Sequence, residues 1–218
     1  MPEPELSAGT LDYEDTGGDG PVAVLLHGVA MNDWGGAQAL VADGRDQRIG
    51  RLVITSCEAF DNFPPGLPGH NLYAAAKVPG GLAAAFGLLK LRPARRSPMT
   101  WGRMTRRPVP PEVMDGWFRP LWTSPEIRRD LRTYVLGVPP RAELLRWAEA
   151  LRGFDRPALV AWAAEDKVMP PEHGRRLAQL LPHARHVEIA DSYTLIPEDQ
   201  PERLAGLIRE FVLDGAPG

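Results

Sequence analysis

Residues 21–40 of this 218-residue chain read PVAVLLHGVAMNDWGGAQAL. The apolar run from Val22 to Leu26 is typical of a strand that is buried on both faces, as the strands of parallel sheets are. A polar turn then ends in Gly35 and Gly36, whose small size lets a strand and a helix pack closely. The next residues, 37–42, predict a helix. The stretch therefore indicates a strand–turn–helix unit, the building block of layered α/β folds.

Other apolar runs along the chain repeat this alternation of strand and helix. The last predicted helix carries an apolar stripe at positions i, i+3, i+4, i+7 and i+8, beginning at Leu204. Because strands alternate with helices, we expect an α/β fold with a mostly parallel sheet flanked by helices. The predicted strands cover residues 6–13, 22–26, 51–56, 157–163 and 186–190.

The middle of the chain shows no convincing strand. We interpret residues 58–154 as a helical insertion, and residues 1–57 with 155–218 as the α/β core, because plain α/β loops are far shorter. The insertion carries 15 basic and 8 acidic residues, whereas the rest of the chain carries 10 basic and 20 acidic residues. These opposite charges predict that the insertion docks on an acidic core.

Composition limits the possible partners. The net charge is −3, the single cysteine is Cys57, and the opening residues MPEPELSAGT lack the pattern of a secretory signal. We expect a cytoplasmic protein with a small-molecule substrate, no cofactor, no metal, no nucleic acid and no membrane partner. Residues 90–107 hold seven basic and no acidic residues. They can attract an anion, but a solvated surface partly paired with the core is the favoured interpretation.

Asp33 is the first candidate for chemistry. The sequence Asn32-Asp33-Trp34-Gly35-Gly36 lies between a predicted strand and a predicted helix, which is the architecture of a nucleophile elbow. A carboxylate nucleophile attacks an alkyl carbon to form an ester. The indole N–H of Trp34 can hold a halide or an oxyanion. The alternative is that Asp33 is a plain helix N-cap.

Two further turns follow predicted strands. The pair His27-Gly28 predicts a turn after the strand, and the backbone N–H of Val29 in that turn can contribute to an oxyanion hole. The alternative is an ordinary glycine turn beside a histidine that packs in the core. Asp166 follows the strand predicted at 157–163, at the edge where α/β sheets place their sites. It can orient a general base, or it can be an exposed loop acid.

Taken together, these motifs resemble the α/β-hydrolase superfamily. The matching pieces, in order, are DTGGDG, VAVLLHG, NDWGGA, GRLVITSC, PALVAWAAEDKVMP and DSYTLIPEDQPERLAGLIREFV. NDWGGA resembles the aspartate elbow of the haloalkane dehalogenase and epoxide hydrolase branch. The resemblance implies that Asp33 is the nucleophile, that Asp166 is the triad acid and that the helical insertion is a cap over the substrate pocket.

The sequence departs from that family where the triad histidine belongs. Tyr193 and Thr194 occupy the places of the Gly-His pair that follows the last strand. Threonine is no base near neutral pH, so an ester on Asp33 would form but hydrolyse slowly. Two hypotheses result: an enzyme acting on an ester, epoxide or haloalkane, or a catalytically impaired member that binds a ligand. His70, His173, His183 and His186 are weak substitutes, and Cys57 is more typical of a buried structural thiol.

The elbow also stands unusually close to the preceding turn. Three residues separate Gly28 from Asn32, whereas the family places a strand, a loop and a helix between the two turns. We interpret the stretch as a junction between two pieces of a shortened core. A narrower sheet leaves an apolar edge, so a homodimer is one expected assembly.

Overall fold

The computed structural model describes residues 5–6, 9–10 and 36–213, with side chains from Ala37 onward. The strand predicted at Val22–Leu26 lies outside these residues. So do four of the five candidate site residues, which are Gly28, Val29, Asp33 and Trp34. Asp166 is the candidate site residue that the structure describes.

The described core contains a three-stranded parallel sheet in the order β3-β4-β5. It confirms the strands predicted at 51–56, 157–163 and 186–190. By contrast, the N-terminal segment forms two short strands paired antiparallel, so the single strand predicted at 6–13 is wrong. The strands are β1 (Glu5–Leu6), β2 (Gly9–Thr10), β3 (Leu52–Thr55), β4 (Ala158–Ala163) and β5 (Ala184–Ile189).

Helices surround this sheet, and only helices lie between β3 and β4 in the described chain. Residues 58–154 hold helices and no strand, and the predicted helix that follows Gly36 is confirmed, while the division of the chain into a core and an insertion stays a prediction. The helices are α1 (Gly36–Ala42), α2 (Gly66–Lys77), α3 (Gly81–Leu88), α4 (Arg92–Arg95), α5 (Pro111–Thr123), α6 (Pro125–Leu136), α7 (Arg141–Ala150), α8 (Pro171–Leu180), α9 (Ile196–Asp199) and α10 (Pro201–Leu213).

The central strand β4 is buried on both faces because its sequence ALVAWA is apolar at every position. Alternate residues face opposite layers, as strand geometry requires. Trp162 packs in the layer that includes Leu177 of α8 and the helices between β3 and β4. Leu159 packs in the layer that includes Leu207 of α10. A Cβ at Gly174 would lie 2.7 Å from the Trp162 ring, so glycine allows α8 to approach the sheet.

Apolar packing joins the helical segment, defined as residues 58–154, to the sheet. Phe118 of α5 lies edge-on to Trp101, with ring centroids 5.2 Å apart, and both belong to the buried cluster that includes Trp162. Arg95 is also buried there, and its guanidinium lies 2.5 Å from the Asp115 carboxylate. This cation of the 90–107 segment is therefore already paired inside the protein.

An acidic latch holds the other end of the 90–107 segment against the core. We define the latch as Arg106 and Arg107 with Glu165, Asp191 and Asp199. Both arginines form ion pairs with Asp191, at 2.8 and 2.6 Å, and Arg106 also pairs with Glu165. Their backbone N–H groups donate to the fully buried Asp199 carboxylate. The opposite charges of the insertion and the core thus meet as the sequence predicts.

Candidate active site

Polar side chains follow each of the three parallel strands at the same edge of the sheet. Ser56 follows β3, Asp166 follows β4 and Thr194 lies in the loop after β5. The Ser56 hydroxyl accepts a hydrogen bond of 3.1 Å from the Ala163 N–H. The carboxyl edge of a parallel sheet is where α/β proteins place their ligands. The sheet therefore brings Asp166 and Thr194, which are distant in sequence, together at this edge.

Asp166 is a buried acceptor, so the alternative that it is an exposed loop acid is wrong. Its side chain is 8% exposed. Oδ1 accepts hydrogen bonds from the Thr194 hydroxyl at 2.7 Å, the Val168 N–H at 2.9 Å and the Met169 N–H at 2.8 Å. Oδ2 is also buried but has no hydrogen-bond partner among the described residues. Through Oδ2 the carboxylate can therefore accept a hydrogen bond from one further donor.

Burial raises the pKa of Asp166 above its ordinary value because desolvation disfavours the charged form. The Met169 N–H, the Thr194 hydroxyl, the Val168 N–H and the nearby Ser56 hydroxyl act in the opposite direction and partly offset this rise. A pKa raised by folding means that the folded state binds the proton more tightly than the unfolded state does. The contribution of Asp166 to stability is therefore largest below its unfolded pKa and is lost as pH rises through the folded pKa. Keeping this carboxylate ionised at neutral pH costs stability.

Thr194 lies directly against Asp166 and is 5% exposed. Its neighbour Tyr193 donates its backbone N–H to Asp199 at 2.9 Å, which holds the loop after β5 in place. A threonine hydroxyl donates and accepts hydrogen bonds but takes up no proton near neutral pH. The contact therefore orients Asp166 without supplying a base.

No described histidine occurs among the hydrogen-bond partners of Asp166. His70 is exposed, and its Nδ1 lies 2.6 Å from the carbonyl oxygen of Gly66. His173 packs edge-on against Phe60, and burial lowers the pKa of His173. His186 lies within β5, where burial lowers its pKa as well. The backbone carbonyl of His183 accepts a hydrogen bond from the N–H of Ala158, at the opposite end of β4 from Asp166.

An apolar cavity of about 120 Å³ lies within the helical segment, and Val168 of the loop after β4 closes one side of it. Val168 lines this cavity and also donates its backbone N–H to Asp166, so the cavity adjoins the polar edge of the sheet. The polar lining groups are Asn71, Thr100 and Tyr134, and the charged one is Glu58. Apolar lining residues of the helical segment include Leu72, Phe86, Leu89, Trp101, Met104 and Val135.

The sequence interpretation expected a pocket under the helical insertion but did not select Glu58 as one of its lining residues. Glu58 is 5% exposed, and its backbone carbonyl accepts a 3.0 Å hydrogen bond from Gln38 of α1. A signal was present, because Glu58 follows a predicted strand at the functional edge of the sheet. Cys57 is half-buried and packs against the main apolar core, in agreement with a structural thiol.

Neither a metal-binding cluster nor a membrane-spanning helix occurs among the described residues. Within residues 5–6, 9–10 and 36–213, no three His, Cys, Asp or Glu side chains are grouped as a metal ion would need. No helix in that part of the chain has the length and apolar character needed to cross a membrane.

Sequence comparison relates the chain to known hydrolases. A sequence profile described as alpha/beta hydrolase fold matches residues 32–201. The uncharacterized hydrolase YugF of Bacillus subtilis (strain 168) is 29% identical over 101 residues, which are 46% of this chain and 35% of YugF.

Solved structures share the fold at low identity. A meta-cleavage product hydrolase from Pseudomonas fluorescens IP01 is 17% identical with a TM-score of 0.59, over 84% of this chain and 63% of that protein. The 2-hydroxy-6-oxo-6-phenylhexa-2,4-dienoate hydrolase of Rhodococcus sp. strain RHA1 is 15% identical with a TM-score of 0.59, over 81% and 59%. The chain spans less than two thirds of each of these relatives, and at this identity the structures show the fold alone.

Proposed function

The chain belongs to the alpha/beta hydrolase fold family, and we propose that it acts on a small, largely apolar ester, epoxide or haloalkane. In this proposal Asp33 is the nucleophile and Asp166 is the supporting acid. The observation that carries the proposal is the buried Asp166 at the carboxyl edge of β4, beside an apolar cavity of about 120 Å³. A cavity lined by apolar groups with few polar ones is the common form of a small-molecule site.

The position of α1 supports a role for Asp33 at this cavity. Gln38 lies five positions after Asp33 in the sequence, and its amide donates to the backbone carbonyl of the cavity residue Glu58. The helix that follows the elbow is therefore tied to the cavity wall. This contact places α1 beside a cavity residue, and it supports the proposal because Asp33 precedes α1 by three positions in the sequence.

The proposed first step is a nucleophilic displacement. With a haloalkane, a carboxylate oxygen of Asp33 forms a bond to the alkyl carbon while the carbon–halogen bond breaks, and the halide leaves with the electron pair. The indole N–H of Trp34 would stabilise the departing halide. For an acyl substrate, the backbone N–H of Val29 after Gly28 would stabilise the oxyanion. The product of attack on the haloalkane is an alkyl ester of Asp33.

The second step limits the proposed reaction. Water must attack the ester, and a general base speeds such a step by roughly 10²–10⁴-fold. Thr194 is the side chain after β5 that contacts Asp166, and threonine supplies no base. We therefore propose slow turnover. The second candidate, a ligand-binding member of the family with impaired catalysis, is favoured by this same Thr194 contact.

Turnover of a substrate panel tests the proposal. We expect the wild-type protein to convert at least one of a bromoalkane, an epoxide and an activated ester slowly, with product formation followed by chromatography. Asp33→Asn removes the nucleophile at nearly constant size and should abolish that conversion. Equal rates for the wild-type and Asp33→Asn proteins would reject Asp33. No conversion of any panel member by the wild-type protein would favour the ligand-binding candidate.

A further inference from the structure

The short stretch around α4 exposes apolar and cationic side chains together. Leu88 is 51% exposed, Leu91 is 61% exposed and Met99 is 50% exposed. We call residues 88–99 the basic corner. Large apolar side chains that are grouped on a surface commonly mark a site that binds a partner. The cations exposed in the same stretch are Lys90, Arg92 and Arg96.

Consecutive tight turns keep the basic corner compact. The N–H of Leu91 donates to the carbonyl of Leu88 at 3.0 Å, and the N–H of Ala94 donates to the carbonyl of Leu91 at 3.0 Å. The N–H of Ser97 then donates to the carbonyl of Ala94 at 3.2 Å. Because the chain turns back on itself at each of these bonds, the exposed side chains are grouped in one corner of the protein and are not spread along an extended loop.

The exposed cations of the basic corner form no ion pair within the described chain. Residues 78–111 contain no Asp or Glu, and the buried Arg95 already holds the Asp115 carboxylate at 2.5 Å. Lys90 lies 6.0 Å from the centre of the Trp122 ring, which is a neutral partner. The ion pairs of the described residues do not include Lys90, Arg92 or Arg96. These three charges are therefore open to an anionic partner.

We propose that the basic corner docks on an anionic lipid surface. Anionic headgroups attract each nearby Lys or Arg, which raises the affinity roughly fivefold per residue. Leucine and methionine side chains gain by leaving water for the boundary between headgroups and acyl chains. A soluble polyanion would use the cations alone, whereas a lipid surface uses both sets of side chains. The proposal replaces the expectations of a solvated surface and of no membrane partner, because the structure separates the paired cations of the 90–107 segment from the exposed ones.

The basic corner also borders the apolar cavity. Leu89 is buried and Met99 is half exposed, and both residues line the cavity. Docking would therefore hold the cavity beside lipid, in which apolar molecules accumulate because they leave water. The supply of a substrate from lipid rests on the proposed function, whereas the docking itself rests on this surface alone.

Cosedimentation with lipid vesicles tests the docking. The wild-type protein should bind vesicles made of equal parts of phosphatidylserine and phosphatidylcholine, and it should bind vesicles of phosphatidylcholine alone far more weakly. The triple variant Lys90→Gln/Arg92→Gln/Arg96→Gln should lower the affinity for the mixed vesicles on the order of a hundredfold. Leu88→Gln/Leu91→Gln keeps the charges and should lower that affinity on the order of tenfold.

A control variant separates the basic corner from the net charge of the protein. Arg45→Gln/Arg203→Gln/Arg209→Gln removes the same number of positive charges from exposed arginines outside the corner. This variant should keep nearly the wild-type affinity for the mixed vesicles, because charges far from the lipid are screened. Circular dichroism would check that each variant is folded.

Three outcomes would overturn the inference. The first is a wild-type protein that does not bind the mixed vesicles, and the second is a control variant that loses as much affinity as the triple variant of the corner. The third is a folded Leu88→Gln/Leu91→Gln protein that keeps the wild-type affinity, since the corner would then recognise anions in general. A wild-type protein that docks but converts no substrate would contradict the catalytic proposal alone.

Discussion

Replacing Asp199 by alanine should lower the free energy of unfolding by about 3–5 kcal/mol, because it removes a fully buried charge from its hydrogen-bond donors. Its carboxylate accepts four hydrogen bonds of 2.8–3.0 Å from the backbone N–H groups of Arg106, Arg107 and Tyr193. Without the carboxylate these N–H groups lose their acceptor. Chemical denaturation followed by circular dichroism would measure the loss.

Asp191→Ala is the matched control for that prediction. Asp191 belongs to the same latch and pairs with the side chains of Arg106 and Arg107, but it is 47% exposed. The side-chain hydrogen bond from Arg107 lowers the pKa of Asp191, yet solvent and salt screen an exposed ion pair. Its removal should cost far less stability than that of Asp199. If the two variants lose equal free energies of unfolding, the hydrogen bonds from backbone N–H groups to Asp199 are not what holds the helical segment on the core.

Replacing Thr194 by histidine should raise hydrolytic turnover by about 10²-fold, the lower range of general-base catalysis. Thr194 lies 2.7 Å from Asp166 Oδ1, and Oδ2 has no described hydrogen-bond partner. Asp166 can therefore accept from an imidazole N–H and orient the ring. The rate should rise as pH increases through the histidine pKa, because the base must be unprotonated. Steady-state rates across a pH series would measure the effect.

Thr194→Gln controls for the larger side chain. Glutamine is close to histidine in size and can donate a hydrogen bond to Asp166, but its amide takes no proton. We expect no gain in turnover from this variant. If histidine and glutamine at position 194 give the same rate in folded proteins, the missing base is not what limits the reaction.

The sheet could be predicted because its strands have a strong local signal. The segment ALVAWA of β4 is apolar at every position, which is typical of a strand covered on both faces. Residues 6–13 gave a weaker alternation that includes Gly9, and the paired strands β1 and β2 replace the predicted strand. The helical interpretation of residues 58–154 gave no bounds for α6, because its amphipathic pattern is embedded among charged residues, although Ser124 caps its first turn at Ile127.

Of the five candidate site residues, Asp166 alone lies among the residues that the structure describes. Asp166 was selected because it follows a buried strand, and the structure places it against Thr194, 28 residues away. The cavity depended on residues that come together from distant parts of the chain, from Glu58 to Val168. Such contacts have no local sequence period, so the pattern of residues 58–154 predicted helices without predicting which residues line the cavity.

The most direct measurement is the mass of the intact protein after reaction with a small bromoalkane, followed by peptide mapping. We expect a gain of one alkyl group on the peptide that contains Asp33, persisting after the reagent is removed. Cys57→Ser as the background avoids alkylation of the thiol, and Asp33→Asn in that background should show no gain. A stable adduct at Asp33 is the result expected of a nucleophile without a base. No adduct, or one retained in the Asp33→Asn protein, would contradict the proposed function.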